Sequence, residues 1–121
     1  MVVSRQLFNT KWGNTYVQES RRSKAVCCRQ DEKNILFGTD RFVCDVYCFE
    51  PGQIQAPHTH DGQDKVYYVV EGRGLFQVGN EEKELGAGEM ALAASGQNHG
   101  VSNRSQQQLV VLVFITPNPS H

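Results

Sequence analysis

Short apolar runs broken by glycine, proline, asparagine and aspartate recur along nearly the whole chain, and no stretch carries the spacing of an amphipathic helix. A chain patterned this way must pair strands, because a period-two pattern buries one face of a sheet and cannot bury one face of a helix. Residues 41–49 alternate Phe42, Cys44, Val46 and Cys48 against Val43, Asp45, Tyr47 and Phe49, then stop at Glu50-Pro51-Gly52. A second run, 65–71, is closed by Gly72-Arg73-Gly74, and a third, 75–78, turns at Gly79-Asn80. Residues 89–94 follow Gly86-Ala87-Gly88, and 109–116 form the longest apolar run, ending at Pro117, which suits a central strand covered on both faces. Turns every eight to twelve residues predict an antiparallel sandwich or small barrel. The first part of the chain is less regular. Its possible strands at 25–29 and 35–37 flank a charged turn at 31–34, and the arm of about 1–36 is expected to pack across the barrel or a neighbour.

At 121 residues the chain has room for one domain, 1–121, with a tail at 117–121 expected to fray. Twelve Lys plus Arg against thirteen Asp plus Glu, a formal charge of −1, provides no field that draws the chain to nucleic acid or an anionic membrane. No apolar run approaches the roughly 18 residues of a spanning helix, and residues 1–10 lack the pattern of a signal peptide. The expectation is a soluble cytoplasmic protein whose partner is a small molecule or another protein. Its four cysteines, Cys27, Cys28, Cys44 and Cys48, are read as free thiols, with Cys44 and Cys48 on one face of a strand as core filling.

Of four histidines, two stand as His58-Thr59-His60. On a strand, residues i and i+2 project from one face, so the pair makes half a metal site. His99 follows Gly96-Gln97-Asn98, a turn that can aim a side chain into a barrel, and His121 at the chain end has no assigned role.

Gly52, five residues, then His58-Thr59-His60, with Gly72 closing the next strand, resemble the first motif of the cupin superfamily, over about 52–72. Gly88, five residues, Ala94, one residue, Gly96, two residues, His99, three residues and Asn103 resemble its second motif, over about 88–103, with Ala94 where the family has proline. The resemblance implies an all-β, double-stranded β-helix (jelly-roll) barrel with His58, His60 and His99 facing one divalent metal ion, iron, zinc, manganese, nickel or copper. It implies that Asn103 braces a turn. It also suggests a homodimer, in keeping with apolar strands whose edges need covering.

One position departs from the motif. The family's fourth ligand, a glutamate, should be separated from Gly72 by six residues, and at that position this chain has Lys65. A protonated lysine has no lone pair and repels a cation. Asp64 could replace the glutamate only if a bulge turned the strand, because neighbouring side chains face opposite ways. Three readings of Lys65 stay open: three imidazoles hold the ion without a carboxylate, Lys65 sits inside and anchors an anion or displaces the metal, or its long stem reaches the rim. If position 65 faces inward, so do Tyr67 and Val69, and Tyr67 becomes the nearest hydroxyl to orient a substrate or shuttle a proton, with Val101 as apolar lining. The functional expectation is a metal-dependent dioxygenase, isomerase or related enzyme acting on a small chelating substrate, with Lys65 and Tyr67 as catalytic candidates. The alternative is a non-catalytic small-ligand-binding or sensing barrel.

Overall fold

A computed structural model describes residues 34–119, and every element in it is a strand. The expected strand at 25–29, most of the arm at 1–36, Cys27, Cys28 and His121 lie outside the described residues. Nine strands follow one another: β1 (Asn34–Gly38), β2 (Val43–Phe49), β3 (Ile54–His58), β4 (Asp64–Glu71), β5 (Arg73–Val78), β6 (Glu81–Gly86), β7 (Met90–Ala93), β8 (His99–Ser102) and β9 (Leu109–Thr116). They form a five-stranded sheet, order β1-β2-β9-β4-β7, and a four-stranded sheet, order β3-β8-β5-β6. Every pairing is antiparallel.

The long apolar run occupies the place its composition demands. β9 lies between β2 and β4, with Val43 to Phe49 on one side and Asp64 to Glu71 on the other. Leu109, Val111 and Val113 point into the main core with Phe49, Tyr67, Val69, Phe76, Leu85, Ala93 and Val101, so the core lies between the two sheets. Val110 faces the other way, into a second cluster with Leu36, Cys44 and Val46. Covering on both faces is why this strand shows no polar alternation. Cys44 is buried and free, and burial, reinforced by the neighbouring Asp45 carboxylate, pushes its thiol up to about 12. Cys48, on the same face, is disulfide-bonded, which departs from the expectation of four free thiols.

Three strands extend what the sequence pattern foretold. β6 is polar along most of its length and forms by pairing with β5 across the Gly79-Asn80 turn. β3 and β8 are short, and they pair with each other at the end of the barrel that carries the histidines.

Candidate metal centre

β3 and β8 bring the histidines together. The pairing register aligns Gln55 with Val101 and His58 with His99, with an irregularity between Gln55 and His58. Gly100 makes this approach possible: a Cβ there would stand 2.9 Å from the Gln55 carbonyl oxygen and 3.0 Å from the Pro57 nitrogen, both backbone atoms. Pro57, which has no N–H to give to a ladder, is tolerated because β3 is an edge strand.

His60 lies beyond the end of β3, so the expectation that His58 and His60 project side by side from one strand is corrected. The loop folds His60 back instead. Its carbonyl accepts the Gly96 N–H at 2.9 Å, the Gly62 N–H donates to the Ser95 hydroxyl at 2.7 Å, and the Ser95 N–H donates to the Asp64 carboxylate at 2.9 Å. Opposite it, the Gln97 N–H donates to the Ala94 carbonyl with Gly96 at φ +80°, the left-handed value that a type II turn needs at its third residue. That turn delivers His99 to the start of β8.

The three rings converge. His58 stands 4.7 Å from His60 and 4.4 Å from His99 between ring centroids, and His60 stands 5.6 Å from His99. One nitrogen from each lies within 4.8 Å of the other two. Two of the rings are oriented by carbonyls: His58 Nδ1 is 2.9 Å from the Ala56 oxygen and His99 Nδ1 is 2.9 Å from the Gln97 oxygen. A carbonyl can only accept, so each Nδ1 carries a proton, and in a neutral ring with that tautomer the lone pair lies on Nε2. His99 Nε2 is buried and has no hydrogen-bond partner. An orphaned acceptor of that kind beside two more imidazoles is what a metal ion satisfies. Burial lowers the basicity of His99 first of all, the bond to Gln97 opposes this, and the positive forms of His58, Lys65 and His60 lower it further. The ring is therefore neutral at neutral pH, the form that ligates. Direct ligation at zinc-like distances of about 2.0–2.1 Å needs the three nitrogens to draw to roughly 3.3 Å apart, a small rotation of the rings.

Parity along β4 is as read from the sequence: Lys65, Tyr67 and Val69 are buried, and Val66, Tyr68 and Val70 are only partly so. Lys65 is 5% exposed, which excludes the reading in which it reaches the rim. Its Nζ lies 4.9 Å from the Tyr47 ring centroid and 5.2 Å from that of Tyr67. Tyr67 in turn lies 6.2 Å from the His99 ring and donates its hydroxyl to Gln55 Oε1 at 3.2 Å. Burial, and then the neighbouring Tyr47, push the Tyr67 phenol up. Asp64 is exposed and engaged with Ser95, away from the cluster, so it does not replace the missing glutamate. Asn103, 1% exposed, donates to the Phe49 and Gln107 carbonyls at 2.8 Å each and accepts from the Ser105 N–H and hydroxyl, bracing the chain as expected. Sequence reasoning missed Tyr47, Gln55 and the buried Asp45 as inward polar groups. Only the alternation of 41–49 could have exposed Tyr47 and Asp45, since it places them with Val43 and Phe49 on one face.

The family described as "Cupin domain" matches residues 45–115, more than half of the chain. The oxalate-binding protein of Thermotoga maritima is 29% identical over 65 residues, 54% of this chain and 54% of that protein, so the match spans about half of that relative's length. Among solved structures, TT1209 from Thermus thermophilus is 36% identical with a TM-score of 0.77, covering 87% of this chain and all (100%) of that one. An uncharacterised conserved protein with a double-stranded β-helix domain from Klebsiella pneumoniae shares the fold at 21% identity, with a TM-score of 0.78 over 89% of this chain and 95% of that one.

Proposed function

Because the chain belongs to the cupin family, we propose that His58, His60 and His99 hold one divalent metal ion and that the barrel uses this centre to bind and transform a small chelating molecule. The observation that carries the reading is the buried, unpartnered Nε2 of His99 within a cluster whose three nitrogens lie within 4.8 Å of one another. Iron, zinc, manganese, nickel and copper all accept imidazole, so the donor set selects the class of ion and not its identity. An ion held by three neutral imidazoles supplies a Lewis acid with open positions, suited to oxygenation, isomerisation or related chemistry.

The chain's own residues do the rest. The Ala56 and Gln97 carbonyls hold the His58 and His99 rings in the tautomer that leaves Nε2 available. Tyr67 keeps its proton at neutral pH and donates it to Gln55 Oε1, so its hydroxyl oxygen is left to orient a substrate by accepting a hydrogen bond. Val101, two residues beyond His99, packs with Val69, Phe76 and Tyr67 in the buried apolar core. A second reading, a barrel that binds or senses a ligand without turning it over, is favoured by one observation: Lys65 is buried where the family's acidic ligand stands. Product formation separates the two, since a sensing barrel shows ligand-dependent stabilisation and no turnover.

A homodimer belongs to the same proposal. On the outer face of the five-stranded sheet, Leu92 and Phe114 flank Val66 in one row, and Met90 lies beside Tyr68 in the next. Met90, Leu92 and Phe114 are exposed, an apolar row that a second copy would cover.

Elemental analysis of protein purified without chelator tests the metal. One equivalent of a transition metal in the wild type, absent from a variant with His58→Ala and His99→Ala, is the expected result. An equal metal content in both, or none in either after reconstitution, rejects it.

A further inference from the structure

Along one side of the barrel the two sheets are not joined. β6 ends the four-stranded sheet, β7 ends the five-stranded one, and among the described residues no ladder links them. The register places Leu85, Lys83 and Glu81 on the inner face of β6, beside Gly74, Phe76 and Val78 of β5. β7 has four residues against six in β6, and that inner face is covered at Leu85 but exposed at Lys83 and Glu81. The opening is a cleft of about 300 Å³, at the lower end of the range for small-molecule sites. Its floor is apolar, from Phe76, Val78, Leu85 and Ala91, and its exposed rim carries Glu81, Lys83 and Gln97. His58, His60 and His99 do not line it. Lys83 and Glu81 carry opposite charges on one face, and among the described residues neither side chain makes a hydrogen bond or an ion pair. Gln97 Oε1 accepts the Ala94 N–H at 2.9 Å, which leaves Nε2 as a donor at the same rim.

We infer that this cleft is a second binding site, for a small zwitterion with an apolar tail. An α-amino acid fits: its carboxylate meets Lys83 and the Gln97 amide, its ammonium meets Glu81, and its side chain lies on the apolar floor. The floor selects for a tail, and the two rim charges select for a head that carries both signs. A lone anion drawn to Lys83 also meets the Glu81 carboxylate, and a lone cation drawn to Glu81 also meets the ammonium, so each is penalised where a zwitterion is not. The site does not use the histidine cluster, so it stands or falls apart from the metal centre.

Calorimetric titration of the full chain tests this with three probes: L-leucine, isocaproate, which is leucine without its ammonium, and isoamylamine, which is leucine without its carboxylate. Lys83→Met and Glu81→Gln are titrated beside the wild type, with folding checked by circular dichroism; both positions are exposed, so both variants are expected to fold. The wild type is expected to bind leucine saturably and at least tenfold more tightly than either analogue. Lys83→Met is expected to weaken leucine at least tenfold without weakening isoamylamine, and Glu81→Gln to weaken leucine as much without weakening isocaproate. Leucine affinity that either substitution leaves unchanged, as chelation at the histidine cluster would give, overturns the inference. An analogue that matches leucine overturns it as well. So does the absence of leucine binding by the wild type, which leaves the two charges only to guard the edge of a strand.

Discussion

His99 shows how one residue's surroundings set its chemistry. Its Nδ1 is committed to the Gln97 carbonyl, its Nε2 has no partner, and burial makes protonation costly. A histidine whose basicity is lowered on folding favours the folded state only while it is neutral. The unfolded chain binds the proton more readily, so this contribution is present above the ordinary histidine value of about 6.5 and is lost as pH falls from there through the lowered folded value. Metal-free protein is therefore expected to melt at lower temperature at pH 5 than at pH 7, with a smaller difference in His99→Gln; an unchanged difference contradicts the assignment. Metal binding weakens over the same window, because protons compete for the same lone pairs. At this scale much was legible in the sequence. The period of two along β4 put Lys65 and Tyr67 inside and Asp64 outside, and the resemblance to the two cupin motifs implied that His58, His60 and His99 share one site. What no local pattern held was the partnership of Lys65 with Tyr47, a residue on β2, which depends on how three strands of the sheet lie side by side.

At the scale of elements, the site depends on β3 and β8 lying close together. Gly100 is where that closeness is set, because a methyl group there meets the backbone of Gln55 and Pro57. Gly100→Ala is expected to push β3 outward, lowering metal affinity at least tenfold while the far side of the barrel stays folded; unchanged metal affinity would show that the close approach is not needed. Asn103 ties the ends of β2 and β8 to the following loop. Its replacement by alanine strands the Phe49 and Gln107 carbonyls and costs about 2–3 kcal/mol, measurable by urea unfolding. β8 and β6 show why sequence patterning stopped short. His99-Gly100-Val101-Ser102 has little strand propensity, and Glu81 to Gly86 is mainly charged, yet both are held by ladder pairing to β5. Pairing with a neighbour outweighs intrinsic preference in such segments. The runs at 41–49, 65–71 and 109–116 were legible because their apolar faces are buried in the core, which leaves the periodicity in the sequence.

Across the whole molecule, two sheets close over one core, and β9 runs through the centre of the larger sheet. Leu109 is fully buried among residues of both sheets, so Leu109→Ala is expected to cost about 2–5 kcal/mol by denaturant unfolding, and a loss under about 1 kcal/mol would mean that the core closes over the gap. The outer face of that sheet is where Met90 and Leu92 stand 61% and 56% exposed, and sedimentation should find a dimer that Leu92→Lys dissociates into monomers; a wild-type monomer would exclude the proposed self-association. The fold class was legible at this scale because turn spacing and period-two patterning both describe an antiparallel barrel. The assembly was not, since an apolar outer row does not encode what covers it. The central claim, that three histidines from β3, the following loop and β8 share one ion, is tested most directly by X-ray absorption spectroscopy of the zinc-loaded protein. The expected first shell contains three imidazole nitrogens at about 2.0–2.1 Å, reduced in His99→Ala. A shell with fewer imidazoles, or one unaltered by that substitution, would contradict the claim.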